Sequence, residues 1–128
     1  MMALADAMLR AGTGGVVLEL FESFTAPTLN GENTGSVTKF ARRCVEAEIA
    51  VFGVTGSGTA GDVCYYESTR RLEDSGVVLL PGILPETTTV KLMIGLAQPE
   101  VDDLASIEAW MVTPVADEFV EPITDGSR

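Results

Sequence analysis

The chain has 128 residues, nearly half of them hydrophobic, and a net charge of −11. That length supports one core of useful size, and the composition is too apolar for a disordered acidic tail. No apolar run approaches the roughly 18 residues a membrane-spanning helix needs, and the negative charge repels phosphate backbones and anionic lipid, so neither nucleic acid nor a membrane is expected as a partner.

The elements read as follows in chain order. Residues 1–11 place Leu4, Met8 and Leu9 near helical spacing, and Gly12, Gly14 and Gly15 follow as a stop, which gives a short helix or arm. No basic residue precedes the apolar stretch, so it does not read as a secretory signal, and synthesis in the cytoplasm is expected. Val16–Phe24 is β-branched and aromatic and reads as a strand that ends at Pro27; residues 28–36 read as a loop. Val37–Val54 fits two templates: Val37, Phe40, Ala41 and Cys44 recur at helical spacing, while Val45, Ala47, Ile49 and Val51 alternate with Glu46 and Glu48. The second half favours a strand, and the first half is open between helix and strand.

A Gly/Ser/Thr loop follows at 53–61, then a compact strand candidate at Val63–Tyr66 and a polar turn around Arg70, Arg71, Glu73 and Asp74. Val77–Leu80 is apolar and is punctuated by Pro81-Gly82. Thr87–Leu96 alternates Thr88, Val90, Leu92, Ile94 and Leu96 with its other positions and reads as the clearest strand in the chain. Ile107, Ala109 and Met111 alternate toward Pro114, and Val115–Ile123 reads as an extended edge or partner-binding tail. The fold expectation is therefore mainly β: an antiparallel sandwich or barrel over residues 1–128 as a single domain, with a peripheral N-terminal arm (1–14) and C-terminal tail (114–128). An α+β domain is the alternative, with Val37–Ala50 and Val101–Met111 converted to helices.

The chain holds no histidine, which removes the usual general base and the commonest transition-metal ligand, so neither a catalytic centre nor a metal or cofactor is expected. Cys44 and Cys64 lack zinc-knuckle or redox spacing and read as two small buried thiols, with a disulfide left open. Gly56-Ser57-Gly58-Thr59-Ala60-Gly61 is a literal G-x-G-x-x-G after an apolar run. In a dinucleotide site Gly56, Gly58 and Gly61 would let backbone approach a pyrophosphate, with Ser57, Thr59 and Asp62 as polar contacts, provided a helix opens near Asp62. Of the carboxylate pairs Glu46/Glu48, Asp102/Asp103 and Asp117/Glu118, the first would share one strand face and reads as its solvent side, and the second would favour the dipole of a helical first turn.

Charge is uneven: residues 97–128 carry eight acids and one base, while the basic clusters Lys39/Arg42/Arg43 and Arg70/Arg71 stand earlier. Together with the missing catalytic residues, this favours a non-enzymatic assembly protein that oligomerises and docks on a larger protein assembly. In size and composition alone, the chain resembles a virion component such as a bacteriophage capsid-decoration (cement) protein or tail protein. The expected interface residues are Leu4, Met8 and Leu9 in the arm and Phe119, Val120 and Ile123 in the tail. A small nucleotide-binding domain built on Gly56–Gly61 is the alternative, and a β-barrel ligand carrier remains open.

Overall fold

The computed structural model describes residues 2–28, 36–58, 63 and 65–120. They form an α/β layer structure, not an antiparallel sandwich or barrel. The elements run α1 (Met2–Arg10), β1 (Gly15–Leu20), α2 (Val37–Glu46), β2 (Ala50–Thr55), α3 (Glu67–Asp74), β3 (Val78–Leu79), α4 (Pro85–Leu96) and α5 (Leu104–Val112). All strand pairing in the sheet is parallel, in the order β1-β2-β3, with Gly15 opposite Ala50, Leu20 opposite Thr55, and Phe52 opposite Val78. Parallel neighbours require a crossover, and α2 and α3 supply the two crossovers here.

The central strand explains the packing. Every residue of β2 is buried, so its run Ala-Val-Phe-Gly-Val-Thr is apolar on both faces. Val51 points into one core with Val16, Leu20, Phe24, Phe40, Ala41, Cys44 and Leu72, covered by α1, α2 and α3. Ala50, Phe52 and Val54 point into the other with Leu80, Ile83, Leu92, Ile107 and Met111, covered by α4 and α5.

Several expectations are corrected. Thr87–Leu96 is not a strand but most of α4: Pro85 opens the helix, Glu86 follows in its first turn, and Thr88, Lys91, Leu92 and Gly95 form its buried face. Residues 107–111 lie in α5, which begins at a capping box in which Asp103 accepts from the Ser106 backbone and the Ser106 hydroxyl accepts in return. Arg70 and Arg71 stand on α3 and not in a turn, and Val63, Tyr65 and Tyr66 carry no strand pairing. Glu46 ends α2 and Glu48 sits in a turn with φ 62°, so the two share no strand face. The arm is the helix α1; Ala5 is fully buried, Met8 and Leu9 pack on the first core, and Asp6 pairs with Arg43 at 3.2 Å. Val16–Leu20 and Val77–Leu80 lie where strands were expected, and Val37–Val54 splits into helix and strand, as one of its two readings has it. Cys44 is buried, and burial pushes its thiol pKa up against the opposing pull of Arg43; Cys64 and a Cys44–Cys64 bond lie outside the described residues. Among the described residues, no helix is long and apolar enough to cross a membrane.

Candidate functional site at the strand ends

In an open parallel sheet, the loops leaving the carboxyl ends of the strands gather at one edge, and ligands bind there. β1 and β2 end level with each other at Leu20 and Thr55. The chain leaves β1 in a tight turn: Phe21 N–H donates to Thr25 O (3.1 Å), and Phe24 N–H donates to Phe21 O (2.8 Å). Phe24 sits at φ 55°, in the left-handed region that L side chains occupy only at a cost, and its buried ring holds it there. Beside it, β2 leaves through Gly56-Ser57-Gly58, with Gly58 N–H closing on Thr55 O at 3.1 Å and Gly58 at φ 64°.

A carboxylate joins the two turns. Glu22 accepts from the backbone N–H of Ser57 at 3.2 Å and from the Ser57 hydroxyl, across 35 positions of sequence. Glu19 lies against Gly56, where a Cβ would stand 2.6 Å from its Oε1 and the carboxylate would have to swing aside. The edge is continued by α3, whose amino end also points this way because the helix runs back against the strands. Between the β1 turn and that helix end lies a cavity of about 490 Å³ lined by Phe21, Ser23, Thr25, Ala26, Pro27, Tyr66 and Ser68. Phe21 is 65% exposed and Tyr66 is also exposed, giving the cavity aromatic walls; the Ser23 and Thr25 hydroxyls bond each other at 2.8 Å on its floor. Nearby, the negative charge of Glu73 raises the Tyr65 hydroxyl pKa, helped by a 3.2 Å hydrogen bond. Hydroxyl and aromatic groups line this cavity, and the Glu22 carboxylate belongs to the same β1 turn; such a rim suits a small polar ligand.

The nucleotide alternative fails on this geometry. A pyrophosphate would need the loop's backbone N–H groups, yet Ser57 N–H is taken by Glu22, and Glu19 adds a second negative charge at Gly56. The next helix opens at Glu67, not near Asp62. Gly61 lies outside the described residues.

The expected interface residues are dispersed. Leu4 is exposed on α1, whereas Met8 and Leu9 pack inward. Phe119 packs against the second core beneath the Lys91 amine (4.7 Å from nitrogen to ring centre), and Val120 is exposed, with its N–H donating to Gly82 O at 2.6 Å. Ile123 lies outside the described residues. None of these belongs to the strand-end cluster. Sequence reading missed Glu22 and Ser57 as a pair; the one available signal was that each follows an apolar strand-like run.

No family model matches this sequence. The chain is similar to a glutamyl-tRNA(Gln) amidotransferase polypeptide of Metallosphaera sedula, 30% identical over 118 residues, which covers 91% of this chain and 25% of that protein. Its structure is similar to the L-asparaginase of Thermococcus kodakarensis (TM-score 0.72, 27% identity, 94% of this chain and 34% of that one). It is likewise similar to L-asparaginase I from Vibrio cholerae O1 (TM-score 0.70, 21% identity, 93% and 34%). The chain thus spans about a quarter to a third of the length of the proteins it matches. These likenesses overturn the expectation of a non-enzymatic virion or assembly protein, because the proteins to which the chain is similar are an amidotransferase subunit and L-asparaginases, which are enzymes. They lend the nucleotide-binding alternative no support either.

Proposed function

We propose that this chain is an asparaginase-like fold unit that takes part in cleaving or transferring a side-chain carboxamide, with the strand-end rim as its contribution to the substrate site. The observation that carries this reading is the correspondence of nearly the whole chain to L-asparaginase structures, alongside 30% identity to an amidotransferase polypeptide. The rim chemistry is compatible: a carboxamide donates through N–H, which the Glu22 carboxylate accepts, and accepts through C=O, to which Ser68 and whichever of Ser23 and Thr25 accepts in their mutual bond can donate, the Ser57 proton being held by Glu22. Glu22 acts as a positioning group as well, because its bonds to Ser57 fix the two turns relative to each other. The chain corresponds to about a third of the length of the matched L-asparaginase structures, and on this reading the rim is one part of the substrate site.

The test is an NMR titration of the full chain with L-asparagine and with L-glutamine at about 10 mM, enough to saturate a site with Kd of about 1 mM. Shifts are expected to concentrate at Phe21–Thr25, Ser57 and Tyr66–Ser68, with affinity at least about tenfold weaker in Glu22→Gln, the size expected for losing one charge-assisted hydrogen bond. Shifts absent from the rim, or unchanged in Glu22→Gln, would contradict the reading.

A further inference from the structure

A second concavity lies on the opposite sheet face, between α4 and residues 113–118. It holds about 430 Å³ and is lined by Val90, Ile94, Trp110 and Val115, with Glu86 at its mouth. Its floor is closed: the Lys91 amine, itself buried, donates to Thr113 O at 2.7 Å and to the Glu118 carboxylate, and the Trp110 indole N–H donates to Lys91 O at 2.9 Å. Gly95 lets the indole lie flat on α4, since a Cβ there would stand 2.4 Å from the ring.

α4 is apolar on both sides. Thr88, Lys91, Leu92 and Gly95 face the core, but Val90, Met93, Ile94 and Ala97 recur at i, i+3, i+4 and i+7 on the outer side. Val90, Met93 and Ile94 are 55%, 66% and 49% exposed, Val90 and Ile94 forming one wall of the concavity. That spacing is the stripe by which one helix packs on another. The charge of the segment that carries it is one-sided: Pro85–Val120 holds Glu86, Glu100, Asp102, Asp103, Glu108, Asp117 and Glu118 against Lys91 alone, Lys91 and Glu118 neutralise each other on the groove floor, and Glu86 stands in the groove lining as its unmatched acid.

The geometry points to a docking site for an amphipathic helix of a partner protein, with an apolar stripe that packs on Val90, Met93 and Ile94 and a Lys/Arg rim that meets the surrounding carboxylates. A second copy docked face to face would bring two such acidic surfaces together with no cation between them. Nucleic acid and anionic lipid are disfavoured by the same field.

Trp110, the chain's single tryptophan, reports on the groove directly. The probe is a synthetic helix of roughly 14 residues, made of leucine and lysine with leucines at i, i+3, i+4 and i+7, titrated into the full chain while Trp110 emission is followed. A saturable change is expected, weakened about tenfold or more by Val90→Asp and progressively by salt above about 0.1 M. Val90 is exposed, and circular dichroism checks that the variant is folded. Glu86→Lys is expected to weaken the leucine/lysine peptide and strengthen a leucine/glutamate one. The proposal is overturned by equal binding of a lysine peptide with scrambled leucines, by equal binding of the leucine/glutamate peptide, or by an unmoved Trp110. It is also overturned by light scattering that shows a dimer which Val90→Asp dissolves. The readout involves no amide chemistry, so it stands or falls separately from the strand-end reading.

Discussion

At the scale of single residues, the most consequential interaction is the pair Lys91–Glu118, both side chains less than a tenth exposed. Burial by itself pushes the Glu118 carboxyl pKa up, but the Lys91 hydrogen bond and the backbone N–H groups of Ala116, Glu118 and Val115 outweigh it and hold the value at about 2. Replacing Lys91 by methionine keeps the stem but leaves this carboxylate without its cation, so the variant is expected to lose about 3–5 kcal/mol of stability, measured by urea unfolding at neutral pH. The pH dependence has a definite sign. Glu118 is more acidic folded than unfolded, so its contribution is fully present above the ordinary carboxylate range and is lost as pH falls from about 4.5 toward 2. Glu118→Gln is therefore expected to be less stable than the parent at pH 7, with the gap closing as the pH approaches 2; a gap of constant size across that range would contradict the assignment. Neither partner was legible as a pair in the sequence, because 27 positions separate them and lysine within a threonine- and leucine-rich run reads as a solvent-facing group. The same holds for Glu22 and Ser57, which only the level endings of two parallel strands bring together.

At the scale of elements, β2 and α4 show why some of the chain was readable and some was not. The strand β2 was legible only in part: the expectation for the second half of Val37–Val54 rested on an alternation with Glu46 and Glu48, which the structure places at the end of α2 and in a turn, and the loop expected at 53–61 takes in the last three residues of β2. In α4, Thr88 and Leu92 belong both to a two-residue alternation and to a helical stripe, and the outer positions Val90 and Ile94 are apolar too. An apolar outer face removes the polar residues that would have revealed the helical period, so the two-residue alternation of Thr88, Val90, Leu92, Ile94 and Leu96 carried the reading toward a strand. β2 itself makes a sharp prediction through Gly53. A Cβ there would stand 2.7 Å from Leu20 Cδ1 and 3.1 Å from both Leu79 and Val77, on a sheet face with no room to give. Gly53→Ala is expected to cost about 1–3 kcal/mol by overpacking, even though alanine suits a strand better than glycine. Chemical denaturation measures it, and a neutral or stabilising result would mean the α2–α3 side of the sheet is less tightly packed than described.

For the whole molecule, the fold class was the least legible property. A parallel sheet buried on both faces shows no inside–outside alternation, and its crossover helices here are only ten and eight residues long, α3 carrying charge at Glu67, Arg70, Arg71, Glu73 and Asp74. Short strands, frequent glycine and polar connectors then resemble a sandwich. The charge asymmetry, by contrast, was visible in the sequence and acquires a direction in the fold. Arg10, Lys39, Arg42, Arg43, Arg70 and Arg71 all lie on α1, α2 and α3, where Asp6, Glu46, Glu67, Glu73 and Asp74 stand among them, and two ion pairs form. The opposite face, α4 and α5 with their flanking turns, has among the described residues no base other than the committed Lys91. Self-repulsion of the net −11 charge is therefore concentrated on that face, and it works against the compact state over distances that salt can screen. The Debye length falls from about 30 Å at 0.01 M to about 3 Å at 1 M ionic strength, so raising sodium chloride across that range should raise the melting temperature by several degrees. Glu108→Lys, which replaces the one acid of α5 by a base, should raise it at low salt and lose most of that advantage at high salt. Stability that instead declined with salt would show that the surface ion pairs Arg43–Asp6 and Arg71–Glu67 outweigh the repulsion, against the small value such exposed pairs normally have.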